Sequence, residues 1–85
     1  MPTREELEEE DRRVRHLRIA VHLALSVIGQ TNMSLTQAQE MVTATRSMAL
    51  RLFPGKELAF DLIYLPRFRR LLAERFGFSR PILSG

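Results

Sequence analysis

No cysteine occurs among the 85 residues. Disulfides, thiolate metal sites, iron–sulfur clusters and a thiol nucleophile are therefore excluded. Glycine is scarce, with four residues and no cluster, so neither a phosphate-cradling loop nor a dinucleotide fingerprint can be assembled. The first apolar run, Ile19 to Ile28, is interrupted by His22 and Ser26 and has about half the length of a membrane span. The opening residues are acidic and carry no apolar leader pattern, so the expectation is a cytoplasmic protein with no membrane attachment. Histidine occurs only at His16 and His22. The two point in different directions on one helix, and neither the i,i+4 zinc spacing nor a Glu-x-x-His pair is present. General acid–base work needs a second positioned partner, which neither histidine has in the sequence. No cofactor is implied.

A hydrophobic fraction of 45% is enough for a globule and too high for a disordered chain. At 9.9 kDa the whole of 1–85 reads as one domain. Charge is uneven along it. Residues 1–11 carry six acids against Arg4, a net of −5, whereas residues 12–85 carry twelve basic residues against four acids, a net of +8. All the basic residues except Lys56 are arginine, whose planar fork suits salt bridges and phosphate contacts. The body is basic and the leading segment acidic.

Apolar spacing predicts an all-α bundle of about four helices, near 3–29, 35–53, 56–64 and 66–76, with no alternating strand pattern. Thr3 with Glu6, and Ser34 with Gln37, have capping-box spacing. Glu8–Arg12, Glu9–Arg13 and Asp11–Arg15 are acid-before-base pairs at i,i+4, each adding a few tenths of a kcal/mol. They let the acidic start hold a helix that frays at its end. Leu7, Val14, Val21 and Ile28 recur every seven residues, and apolar side chains from Leu17 onward leave only Arg15, Arg18, His22 and Ser26 as a polar stripe. Such a helix is expected to be central and buried. Gly29 is expected to end it in the left-handed conformation. Pro54-Gly55 fits a type II turn. The third helix is expected to be mostly enclosed. Pro66 should exclude Leu65 from the fourth helix. Gly77 should close that helix with Phe78 folding back, and 79–85 is a tail.

Three constellations invite chemistry. Glu57 and Asp61 are a like-charge i,i+4 pair with Tyr64 beside them; they suit a paired-carboxylate or oxygen-ligand cation site, or neutralisation by arginines of the fourth helix. Arg75 falls inside the apolar arc of that helix. A buried lone guanidinium is strongly disfavoured, so Arg75 must pair, snorkel to the rim or face a partner; an ion pair with Asp61 or Glu57 is the expectation, with a partner contact or a ligand anion as the alternatives. Arg67, Arg69, Arg70 and Arg80, interleaved with Phe68, Phe76 and Phe78, are candidate nucleic-acid contacts through phosphate binding and base stacking, although Phe68 and Phe76 also have core spacing. The two long helices suit an antiparallel hairpin better than a helix-turn-helix.

Two helices apolar on nearly every side exceed what 85 residues can cover. A homodimer is therefore expected, with Leu17, Val21, Ala24 and Ile28 at its interface. The function that follows is a small non-catalytic helical interaction or regulatory protein, not an enzyme. The alternative is a nucleic-acid-binding regulator using the arginine-rich surface.

Overall fold

The computed structural model describes residues 1–77. They form four helices: α1 (Arg4–Gln30), α2 (Leu35–Leu52), α3 (Glu57–Ile63) and α4 (Leu65–Phe76). There is no strand among the described residues, and the fold is the all-α bundle the periodicity predicts. Both capping boxes close. The Thr3 hydroxyl accepts from the Glu6 N–H at 3.1 Å, and the Thr3 N–H donates to Glu6 Oε1 at 2.7 Å. Ser34 and Gln37 repeat the exchange at 3.1 and 3.0 Å. The Lys56 N–H donates to the Phe53 carbonyl across Pro54-Gly55 at 3.3 Å, with Gly55 at φ +80°, the type II arrangement. Gly77, at φ +69°, caps α4 in the left-handed region. Phe78, Arg80 and the tail at 79–85 lie outside the described residues.

Two boundaries differ from expectation. Gly29 does not stop α1, which continues through Gln30. Thr31 ends it instead, donating both its N–H (3.0 Å) and its hydroxyl (2.6 Å) to the Val27 carbonyl. Leu65 is helical despite preceding proline, and Pro66 lies within the first turn of α4. First-turn N–H groups have no partner inside a helix, so a residue lacking one loses nothing there. Only Tyr64 separates α3 from α4, at φ −103° and ψ −36°, so the two form a bent pair rather than two helices joined by a loop.

Helices α1, α2 and α4 pack pairwise, and α3 lies against α2 and α4. The core comprises Leu17, Val21, Ala24 and Ile28 of α1, Ala38, Val42 and Ala49 of α2, Phe60 of α3, and Phe68 and Leu72 of α4. Phe68 and Ile28 are fully enclosed. Thr45 is the one buried polar side chain among the described residues. Its hydroxyl donates to the Met41 carbonyl at 2.8 Å, which removes the cost of burying it.

Two expectations about surface and interior are corrected here. Leu17, Val21, Ala24 and Ile28 are not a dimer interface; at 9%, 2%, 6% and 0% exposure they face α2 and α4 of their own chain. Nor is α3 mostly enclosed. A helix of 7 residues has too few turns to be covered on more than one side, and only Phe60 is buried.

The molecule measures 50 × 27 × 14 Å, with a radius of gyration of 15.3 Å against about 12 Å for a compact chain of this length. Much of the elongation comes from α1. Its 27 residues rise about 40 Å, and the 18 residues of the antiparallel α2 only about 27 Å. The first turns of α1 therefore overhang the bundle. Of residues 1–16, only Glu9 is even partly buried. The overhang is laced by Arg4–Glu8 (3.4 Å), Arg12–Glu9 (2.6 Å) and Arg13–Glu9 (3.5 Å). Among the three pairings expected from spacing, Glu9–Arg13 forms.

Candidate functional site

Large apolar side chains stand in solvent on two elements. Ile19 and Leu23 of α1 are each 60% exposed, and Leu58, Leu62 and Ile63 of α3 lie between 56% and 70%. They arise because α1 and α3 each have one apolar side more than the bundle covers. A groove runs between α1 and the α3–α4 bend, with Ile19, Leu23, Leu25, Ile63 and Tyr64 in its walls and Arg18, His22 and Arg67 along it. It extends beside α3 through Val14, Leu17, Ala49, Phe53, Ala59 and Phe60. Its walls are largely apolar, and Arg18 and Arg67 make its rim cationic.

The ionic constellation is arranged differently from the sequence expectation. Asp61 is held by Arg46 of α2, with Nε on Oδ1 at 2.7 Å and Nη2 on Oδ2 at 3.0 Å. This bidentate pair crosses from α2 to α3 with both side chains about one-third exposed. The Arg46 hydrogen bond holds the Asp61 carboxyl below its ordinary range; partial burial opposes this, and the charges of Arg46 and Arg69 reinforce it. Arg46 is raised by the same bond. Arg75, expected to pair with Asp61 or Glu57, pairs with neither. It is exposed and reaches the other way along α4, where Nη2 donates to the Thr31 carbonyl at 2.6 Å. The expectation of an Arg75 ion pair is thus corrected: the side chain escapes burial by snorkelling past the apolar arc to the open end of α1. Glu57 is exposed in the first turn of α3, where a carboxylate complements the helix dipole. The signal that locates Arg46 is its spacing. It lies four residues after Val42 and three before Ala49, at the edge of the buried face of α2.

Arg67, Arg69 and Arg70 are all exposed, but they do not act on one surface. Arg67 lies over the Tyr64 ring at 5.8 Å from its centroid, a cation–π distance. Arg67 and Arg70 border His22 across the α1–α4 groove, whereas Arg69, with Arg70 beside it, lies with Gln39 and Thr43 next to α2. Arg80 lies outside the described residues. Phe68 is fully buried and Phe76 partly so, which takes both out of any base-stacking role.

Among the described residues no group of three or more His, Asp or Glu could hold a metal ion, and no helix is long and apolar enough to cross a membrane. No protein family, curated protein or solved structure matches this chain.

Proposed function

We propose that this is a small, non-catalytic helical interaction protein of the cytoplasm that works as a homodimer, with the groove between α1 and α3 as part of its contact surface. The observation that carries this reading is the set of exposed apolar side chains, Ile19, Leu23, Leu58, Leu62 and Ile63, left over after a complete core has formed. Covering each would contribute on the order of 1–2 kcal/mol, so a partner surface that fits is strongly favoured. The test is sedimentation over a range of concentration. The intact chain should be dimeric at micromolar concentration. Ile19→Ser combined with Ile63→Ser should be monomeric with an unchanged helical circular dichroism spectrum. A clean monomer at high concentration for the unaltered chain would refute the proposal.

A second reading, a nucleic-acid-binding regulator, is favoured by one specific observation: Arg18, His22, Arg67 and Arg70 follow adjoining grooves on one side of the molecule. It requires that a duplex or single-stranded oligonucleotide bind with an affinity that falls steeply with salt, as counterion release dictates. A shallow salt slope rules it out.

A further inference from the structure

The exposed face of α1 is electrically divided. Glu8 and Asp11 lie on its overhanging end, where Arg4 pairs with Glu8 at 3.4 Å within a segment, residues 4–11, of net charge −5; Arg15, Arg18 and His22 follow along the same face at spacings of three, four and seven residues. The overhang, residues 4–11, is approached only by Phe53, on the side of Glu9, and Leu7 is 50% exposed on it. The groove beside Arg18, His22 and Arg67 has apolar walls that include Leu25 and Ile63. An acidic helix carrying one leucine and a basic groove with apolar walls are complementary. They cannot meet within one molecule: Leu7 and His22 are about 22 Å apart on the same straight helix. We infer that they meet between molecules, and that the acidic overhang of α1 docks in the basic groove of a second copy in an antiparallel α1–α1 arrangement.

The charge pattern selects this arrangement. Side by side in the same direction, two α1 helices would set acid against acid and base against base. Antiparallel, with the twofold axis near Val14, Glu8 and Asp11 of each copy lie opposite the other copy's Arg18–His22 stretch, the two Arg15 side chains lie beside the axis, and Leu7 is brought opposite the groove at Val21–His22. The two contacts are equivalent, so the assembly closes as a dimer. Opposed charges of this kind chiefly set orientation and partner choice. The inference rests on the homodimer proposed above and assigns its register.

A charge-swap experiment tests it in the full chain. One variant carries Glu8→Arg and Asp11→Arg. The other carries Arg18→Glu and Arg67→Glu. All four positions are exposed, and circular dichroism would verify that both variants fold. Each variant alone sets like charges against each other at both contacts, so its dimer should weaken by about tenfold or more at low salt. Mixed together, the two should form a heterodimer, because both contacts are again of opposite sign. Joining all four changes in one chain should restore the homodimer. If the unaltered chain dimerises and neither variant shifts its dissociation constant, the docking arrangement is wrong while the homodimer stands. If the unaltered chain is monomeric, both are wrong. If it is monomeric and binds an oligonucleotide through Arg18 and Arg67, the groove serves nucleic acid and the docking arrangement is overturned.

Discussion

Gly29 offers a test in which two readings predict opposite signs. As a left-handed helix stop it would resist substitution, because a side chain at positive φ costs about 1 kcal/mol or more. In the structure it is an ordinary helical residue, one position before the end of α1. A Cβ built there would lie 3.8 Å from Leu71 Cδ1 and 3.9 Å from Cδ2, which is normal contact. Gly29→Ala should therefore stabilise. Replacing glycine by alanine inside a helix contributes roughly 0.5–1 kcal/mol, mostly by restricting the unfolded chain. The position near the helix end argues for the lower part of that range, and the new contact with Leu71 adds about 0.1–0.2 kcal/mol per atom pair. For a domain of this size the sum is a rise in melting temperature of roughly 2–8 °C. The assay is thermal unfolding followed by circular dichroism at one fixed protein concentration, since association itself raises the transition. Gly77→Ala, at φ +69°, is the control and should lower it. A fall in melting temperature for Gly29→Ala would refute the placement of Gly29 inside the helix.

Three other outcomes are expected. Val21→Glu should unfold the monomer rather than merely dissociate a dimer, since Val21 is 2% exposed and a stranded buried charge costs several kcal/mol; Ile19→Glu should leave the helical spectrum intact, and equal unfolding by both would contradict the assigned interior. The Arg46–Asp61 pair should make stability acid-sensitive. Asp61 has its folded-state pKa lowered from 3.8, so its contribution is complete above about pH 5 and is lost as the pH falls through the unfolded and then the folded value. Denaturant unfolding from pH 6 downward should show that loss in the unaltered chain and a smaller one in Arg46→Met. Arg75→Ala forfeits the bond to the Thr31 carbonyl, worth at most about 1 kcal/mol at an exposed site; adding Asp61→Leu should give no rescue, and a recovery would restore the ion pair the structure replaces.

What the sequence made legible was local. The capping boxes, the Pro54-Gly55 turn and the Gly77 stop each depend on residues within four positions of one another, so their chemistry is written contiguously. The inward face of α1 was legible too, because Leu17, Val21, Ala24 and Ile28 share a helical stripe. What that stripe packs against was not: the same pattern fits a dimer seam or an interior, and only the positions of α2 and α4 decide between them. Arg46 and Asp61 are separated by a turn whose geometry sets their distance, so spacing alone offered Asp61 several arginines. The helix wheel places the Cα of Arg75 inside the apolar arc, which fits pairing, snorkelling or a partner contact alike; a long side chain at the end of a helix can carry its charge well beyond its own Cα. The groove between α1 and α3 was illegible for a different reason. It is a shortfall of covering surface, and it exists only once three helices have chosen one another and left the fourth at the edge.

The slab-like proportions, 50 × 27 × 14 Å, bear on how this molecule responds to its surroundings. A body two helices deep keeps solvent close to every helix and hides a smaller share of its surface than a sphere of equal mass. The heat capacity gained on unfolding and the slope of stability against urea both scale with surface newly exposed. Both should therefore be low for a chain of this length. The stability curve is then shallow, varying gently with temperature, and the melting transition is wide. A partner that covers one broad side of the slab changes these quantities by a larger fraction than it would for a rounder protein, so heat capacity and urea slope themselves become gauges of assembly.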